Sequence, residues 1–302
     1  MAITFFGWLG AILQLSWQAG ATMPLLTIFS LIAGRRGNGQ FYIGTAVKLA
    51  RFGIALAILG VIYFPYDYFL QILIMKNGAM NIWEPFFTTP GRPWMSSLIA
   101  QFGGAIFMAV GYASFFFITK RPEKYALSLV KRPVYLFLAA ALFFFSTFFL
   151  INWPFADLPQ GLPFDRAIFA VMRNAANRFF MAFTPAAGMA LLVLYKSAAG
   201  KMADTAPVIT AARWLSFWGC AGLIPFVGQA WAILIGLGFR GNLASYFPGG
   251  YGWHIGGIAL LTISMILWFL QAVLKKNLYL VVVSAFTLYI IQVSLPFARQ
   301  LV

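Results

Sequence analysis

The chain has one histidine, His254, one cysteine, Cys220, and only six acidic residues among 302. One imidazole and one thiol cannot build a zinc or iron–sulfur site from side chains of this chain. The lone cysteine excludes an internal disulfide and, within an apolar run, reads as a packed core residue. No P-loop, His-Glu-x-x-His or Gly-x-Ser-x-Gly pattern occurs. No Asp or Glu lies well inside an apolar run, which removes the intramembrane carboxylate that ion-coupled transporters and pumps use. A self-contained enzyme is not expected.

What is present points to a membrane. Charged residues make up 9% of the chain and hydrophobic residues 62%, whereas a soluble domain carries roughly a quarter charged residues. The apolar residues fall in blocks of about 20, the length that crosses a bilayer. The expected fold is an all-α polytopic membrane protein with one integral membrane domain, residues 1–302. Eight transmembrane helices are expected near 3–33, 42–64, 95–119, 132–152, 176–198, 208–237, 253–274 and 277–298. Their order allows two four-helix bundles, one over 3–152 and one over 176–298, with short interfacial pieces at 66–80 and 165–174. The first block has no basic start and no small-residue cleavage site, so it reads as a retained span.

The net charge of +15 does not read as nucleic-acid binding, because the basic residues cluster in short connections between spans. Arg35 and Arg36, then Lys120 to Arg132, then Lys196 and Lys201, then Lys275 and Lys276 all fall on one side. Asp67, Glu84, Asp157 and Asp165 collect on the other. The positive-inside rule then places both termini on the outer, periplasmic side of a bacterial inner membrane. The outward connections 66–94 and 152–175 are long, aromatic and proline-rich. Such segments suit the headgroup zone or the docking of an extramembrane partner.

Several residues sit where chemistry is possible. His254 opens helix seven on the outward side, where it can bond a quinol hydroxyl, ligate a haem edge-on or remain solvated. Arg178, beside Asn177 at the start of helix five, either snorkels to headgroups or holds an anionic oxygen. Met181, one turn deeper, is a thioether that most simply fills space. Trp153, Asp157, Asp165, Arg173 and Arg240 share that boundary as candidate docking residues for a partner. Lys48 and Arg51, one turn apart in helix two, either snorkel inward or bind a lipid headgroup.

Some segments resemble a known family. "SWQAGATMPLLTIFSLI" with "KLARFGIALAILGVI", "LFFFSTFFLINWPFADLPQG", "NAANRFFMAFTPAAGMALLVLYK" and "YGWHIGGIALLTIS" are similar, in that order, to helices one and two, four, five and seven of cytochrome bd-type quinol oxidase subunit I. That family holds b-type haems with histidines in helices one and five and a methionine in helix seven. The positions matched here are Ala21, Met181 and Gly256. The family's two helix-three glutamates fall near Ala100 and Met108, and its quinol loop shrinks to roughly 238–252.

The resemblance therefore implies a haem-free or haem-poor subunit of a respiratory complex. Its expected partners are other membrane subunits, membrane lipids and a periplasmic c-type cytochrome, and its expected small ligand is a quinone. In that role His254 accepts the quinol proton and Arg178 holds its oxygen. A transporter or lipid-handling permease is the alternative, and a lipid-modifying enzyme would need a catalytic constellation that is not seen. The topology is testable with cysteines introduced into the otherwise single-thiol chain. Those at Gly37 and Glu123 are expected to be sealed from an impermeant thiol reagent in intact cells, and those at Asp157 and Gly249 to react; the reverse pattern would invert the orientation.

Overall fold

The computed structural model describes residues 2–35, 39–76, 106, 121–152, 164–198, 206–239, 241, 251–274, 276 and 279–299. These are helical, with no strand among them. In chain order the helices are α1 (Ala2–Ala33), α2 (Gly39–Lys76), α3 (Pro122–Lys131), α4 (Pro133–Asn152), α5 (Phe164–Met181), α6 (Phe183–Ala198), α7 (Ala206–Phe239), α8 (Tyr251–Val273) and α9 (Tyr279–Arg299). Five spans among the described residues are long and apolar enough to cross a membrane: Leu9–Ala33, Tyr42–Ile62, Ala175–Tyr195, Val208–Phe239 and His254–Val273. The bent pair α3 and α4 supplies a sixth if it is one span, and the apolar part of α9, Tyr279–Gln292, is shorter. The expected helix at 95–119 lies outside the described residues apart from Ile106.

Three expected boundaries move. The helix expected to end at 64 continues as α2 to Lys76, about 57 Å for 38 residues, so the separate interfacial piece at 66–80 is its continuation. The loop expected before 132 is the amphipathic helix α3, which buries Ala126 and Leu129 and exposes Glu123, Lys124 and Lys131. Proline sets its limits. Arg121 and Arg132 each precede a proline and take non-helical dihedrals (φ −136°, ψ 76° and φ −114°, ψ 83°), because the proline ring clashes with a helical residue before it. The guanidinium of Arg132 lies 5.9 Å from the centroid of the Tyr135 ring, a cation–π contact across that bend. The piece expected at 165–174 belongs to α5, which meets α6 across the single residue Ala182. Asn177 and Arg178 therefore lie in the last turn of a helix rather than at a helix start.

The chain forms two compact units, Ile12–Phe179 and Met1–Ala11 with Phe180–Val302. In the first, α1 is buried on nearly all sides from Leu13 to Leu31, the mark of a helix apolar all round. Three of its hydroxyls bond within the helix: Thr22, Thr27 and Ser30 donate to the carbonyls of Gln18, Met23 and Leu26, four residues back. Close approach to α2 depends on glycine. A Cβ on Gly20 would lie 2.7 Å from the Ala57 nitrogen, and one on Gly60 2.7 Å from the Trp17 Cα. Thr147 of α4 donates to the Ala21 carbonyl at 2.8 Å, and Phe144 meets Phe179 of α5 edge to face at 5.0 Å.

In the second unit α6 packs on α7, α7 on α8, α8 on α9 and α9 on α6. Three of these seams carry a side-chain hydrogen bond, since polar groups buried between helices in lipid need internal partners. Thr184 donates to the Gly219 carbonyl at 3.0 Å, Trp231 to the Thr262 hydroxyl at 2.9 Å and Ser264 to the Ala285 carbonyl at 2.7 Å. At the fourth, Tyr195 meets Tyr279 edge to face at 4.9 Å. Glycines again seat the large rings: Gly219 faces Trp268, and Gly188 lies under Phe286, where a Cβ would overlap the ring.

Cys220, buried in α7, is a built-in reporter for this unit. Gly188→Leu is expected to destabilise it by about 1–3 kcal/mol through overpacking against Phe286. Gly228→Ala, with no atom within 4 Å of its added carbon, is expected to be neutral or stabilising by up to about 1 kcal/mol. The temperature at which Cys220 reacts with a thiol dye measures both. Equal midpoints for the two variants would overturn the packing assignment.

Candidate functional site

His254 lies on the first turn of α8 and is exposed. The same turn brings Gly257, three residues on, to the buried face of the helix. There it meets α9: a Cβ on Gly257 would lie 2.7 Å from both terminal atoms of the Gln292 carboxamide. Glycine is what lets that amide rest on the α8 backbone. The Gln292 Oε1 is buried and has no hydrogen-bond partner among the described residues. A buried acceptor without a donor costs about 1–3 kcal/mol. Packed against Gly257, three residues along α8 from His254, this acceptor favours a hydroxyl or amide hydrogen of a ligand. Gln292 was not among the candidates read from the sequence. A single amide inside the apolar run "YIIQVSL" is the signal that marks it.

The other sequence candidates fall elsewhere. Arg178 and Arg173 are exposed on α5, in the unit that does not contain His254, and each is described within its own unit. Asp165 lies in the first turn of α5. Trp153, Asp157 and Arg240 lie outside the described residues, as do Ala100 and Met108. Lys48 and Arg51 are both exposed on α2, three residues apart on one face. Among the described residues no three His, Cys, Asp or Glu side chains gather as a metal site.

The positions matched to haem ligands do not fit that group. Axial ligation needs a side-chain lone pair directed at iron. Ala21 offers a methyl group, is 1% exposed, and has its carbonyl bonded by Thr147. Its neighbour Gly20 is pressed against α2. Gly256 has no side chain, and only the half-buried Met181 retains a donor atom. One thioether is not a pair of axial ligands.

Arg213 is a further residue that the sequence reading passed over. It lies five residues inside the apolar stretch Val208–Phe239 and is half-buried. Its Nε donates to the carbonyl of Ala272, in the last turn of α8, at 3.0 Å. Next to it an aromatic cluster runs along α7 and onto α6. Trp214 meets Trp218 at 5.7 Å, Phe217 meets Trp218 at 5.5 Å, and Phe183 stacks on Trp218 at 5.3 Å.

No protein-family model matches the chain, and neither a curated protein nor a solved structure matches it. The likeness to the cytochrome bd family thus rests on the quoted segments alone.

Replacing Gln292 by Met keeps the volume and removes the orphaned acceptor. The variant is expected to be more stable than the parent by about 1 kcal/mol in ligand-free detergent, read by the Cys220 unfolding midpoint. A loss of stability would mean that Oε1 already has a partner.

Proposed function

We propose that this chain is a haem-free membrane subunit of a respiratory electron-transfer complex. It lies in a bacterial inner membrane with both termini periplasmic, and spans it with eight helices in two four-helix bundles. It holds a quinone or lipid at its outward face and supports partner membrane subunits and a periplasmic c-type cytochrome. The observation that carries this reading is Ala21. A segment resembling the first helix of a haem-binding family retains its place in the chain while the ligand position holds a buried alanine bonded to the neighbouring helix. A helical frame is kept where the redox ligands are not, as suits a subunit whose electrons travel through its partners.

Within this reading the outward end of α8 is the quinol-facing part. A quinol releasing protons needs a neutral base within hydrogen-bond reach, and His254 is the one imidazole of the chain. Gln292 adds an acceptor packed on Gly257, one helical turn along α8 from His254. Arg178 has the guanidinium chemistry to hold a quinol oxygen, and it is tested independently.

The experiment is affinity purification from native membranes, followed by pyridine-haemochrome analysis and identification of co-purifying subunits. The expected result is less than one haem per copy of this chain, together with partner subunits that carry redox centres. A low-spin b-type spectrum from the isolated chain, lost in Met181→Ala, would overturn the haem-free assignment. In the assembled complex, His254→Ala and Arg178→Ala are each expected to lower quinol-linked turnover by about 10²-fold, the scale of one general acid–base contribution. Wild-type turnover in both would remove the quinone role and leave the scaffold role alone.

A further inference from the structure

The lysine-rich end of α8 holds a cation whose charge the described residues leave uncompensated. Arg213 makes a single hydrogen bond there, from Nε to the Ala272 carbonyl. That bond orients the guanidinium plane and leaves the two terminal nitrogens as donors without a described acceptor. The carbonyl end of a helix carries roughly half a negative charge, so capping it offsets only part of the guanidinium charge. No carboxylate lies near in sequence except Asp204. In sequence, Lys196 lies in the last turn of α6, Lys201 between α6 and α7, and Lys275 and Lys276 just after α8.

Depth places the group at the membrane boundary. The apolar stretch His254–Val273 has 20 residues, about 30 Å, which matches the hydrocarbon core and puts Ala272 at its edge. The stretch Val208–Phe239 has 32 residues, about 48 Å, so its first five residues, about 7 Å, fall within the overhang. Both helices put Arg213 at headgroup level. The aromatic residues agree: Tyr279 is exposed beside Tyr195, and Trp214 flanks Arg213, as amphipathic rings do at a membrane interface. The turn after α8 is also held in shape. Gln271, fully buried, donates to the Lys276 carbonyl at 3.0 Å, which places the exposed Lys276 one turn beyond Ala272.

The geometry points to a binding site for the phosphate of an anionic phospholipid at the α7–α8 seam. The terminal nitrogens of Arg213 donate to the phosphate oxygens, and Lys276 supplies the second positive charge. Guanidinium suits phosphate because its donors lie in one plane and stay charged at any physiological pH. The acyl chains follow the apolar surface that α7 and α8 expose, which includes Phe217, Ile266 and Phe269. This site is at the opposite end of α8 from His254 and does not depend on the electron-transfer reading.

The test is lipid retention by the full-length protein after extraction from membranes and exchange into mixed micelles of phosphatidylglycerol and phosphatidylcholine, read by native mass spectrometry. The parent chain is expected to retain phosphatidylglycerol in preference. Arg213→Gln and Lys276→Gln are each expected to lower that preference about fivefold, the scale of one basic charge at an anionic surface. Lys276→Gln leaves the Ala272 cap and the Gln271 bond in place, so it decides the matter if Arg213→Gln does not fold. Parent-like preference in Lys276→Gln, or equal retention of the two lipids by the parent, would overturn the site. Displacement of the lipid by millimolar inorganic phosphate would show free phosphate, not lipid, to be the ligand, and would overturn it as well.

Discussion

A bilayer offers no water to the groups it surrounds, and every other feature of this chain answers to that constraint. Helix satisfies the backbone from within, so the described residues are helical. Polar side chains follow the same logic in two ways. Within α1 hydroxyls return to carbonyls of their own helix; the hydroxyls of Thr184 and Ser264 reach across the α6–α7 and α8–α9 seams, and the Trp231 N–H reaches across the α7–α8 seam. The hydrophobic effect adds little between helices already in lipid, and close contact supplies the rest. That is why glycine stands wherever a ring or a neighbouring backbone must approach, at Gly20, Gly60, Gly188 and Gly219.

Much of this could be read from the sequence, because the signals are strong and local. Length and apolarity mark α1, α7 and α8 without any knowledge of neighbours. The boundaries that moved depend on weaker information. The polar break around Pro65 and Asp67 reads as a helix end, yet α2 runs through it into the apolar stretch 69–75 and on to Lys76. The helix α3 has near-neutral average hydropathy and sets its apolar stripe beside two lysines of its own and two flanking arginines, so it resembles a basic loop when only charge is counted. The prolines at 122 and 133 were the available clue to its ends.

The site residues were harder to read for a different reason. His254 was visible because it is unique, and Lys48 and Arg51 because they are charged within an apolar run. Gln292 and Arg213 matter through what faces them, a glycine on one helix and a terminal carbonyl on another. Neither partner is near in sequence, so no spacing rule could reveal the pair. Arg178 and His254, grouped by their proximity to one membrane boundary, belong to different compact units. Sequence places a residue along the membrane normal far better than around it.

The backward bonding of three α1 hydroxyls has a consequence for biogenesis. This helix leaves the ribosome before the helices that finally enclose it, yet in the finished protein it keeps almost no surface for lipid. It must therefore wait in the bilayer and later exchange acyl chains for protein on nearly every side. Thr22, Thr27 and Ser30 make that wait tolerable, because each hydroxyl hydrogen is already bonded to a carbonyl four residues back. Its carbonyl at Ala21 is where the late-arriving α4 engages it, through Thr147, once the chain has returned across the membrane.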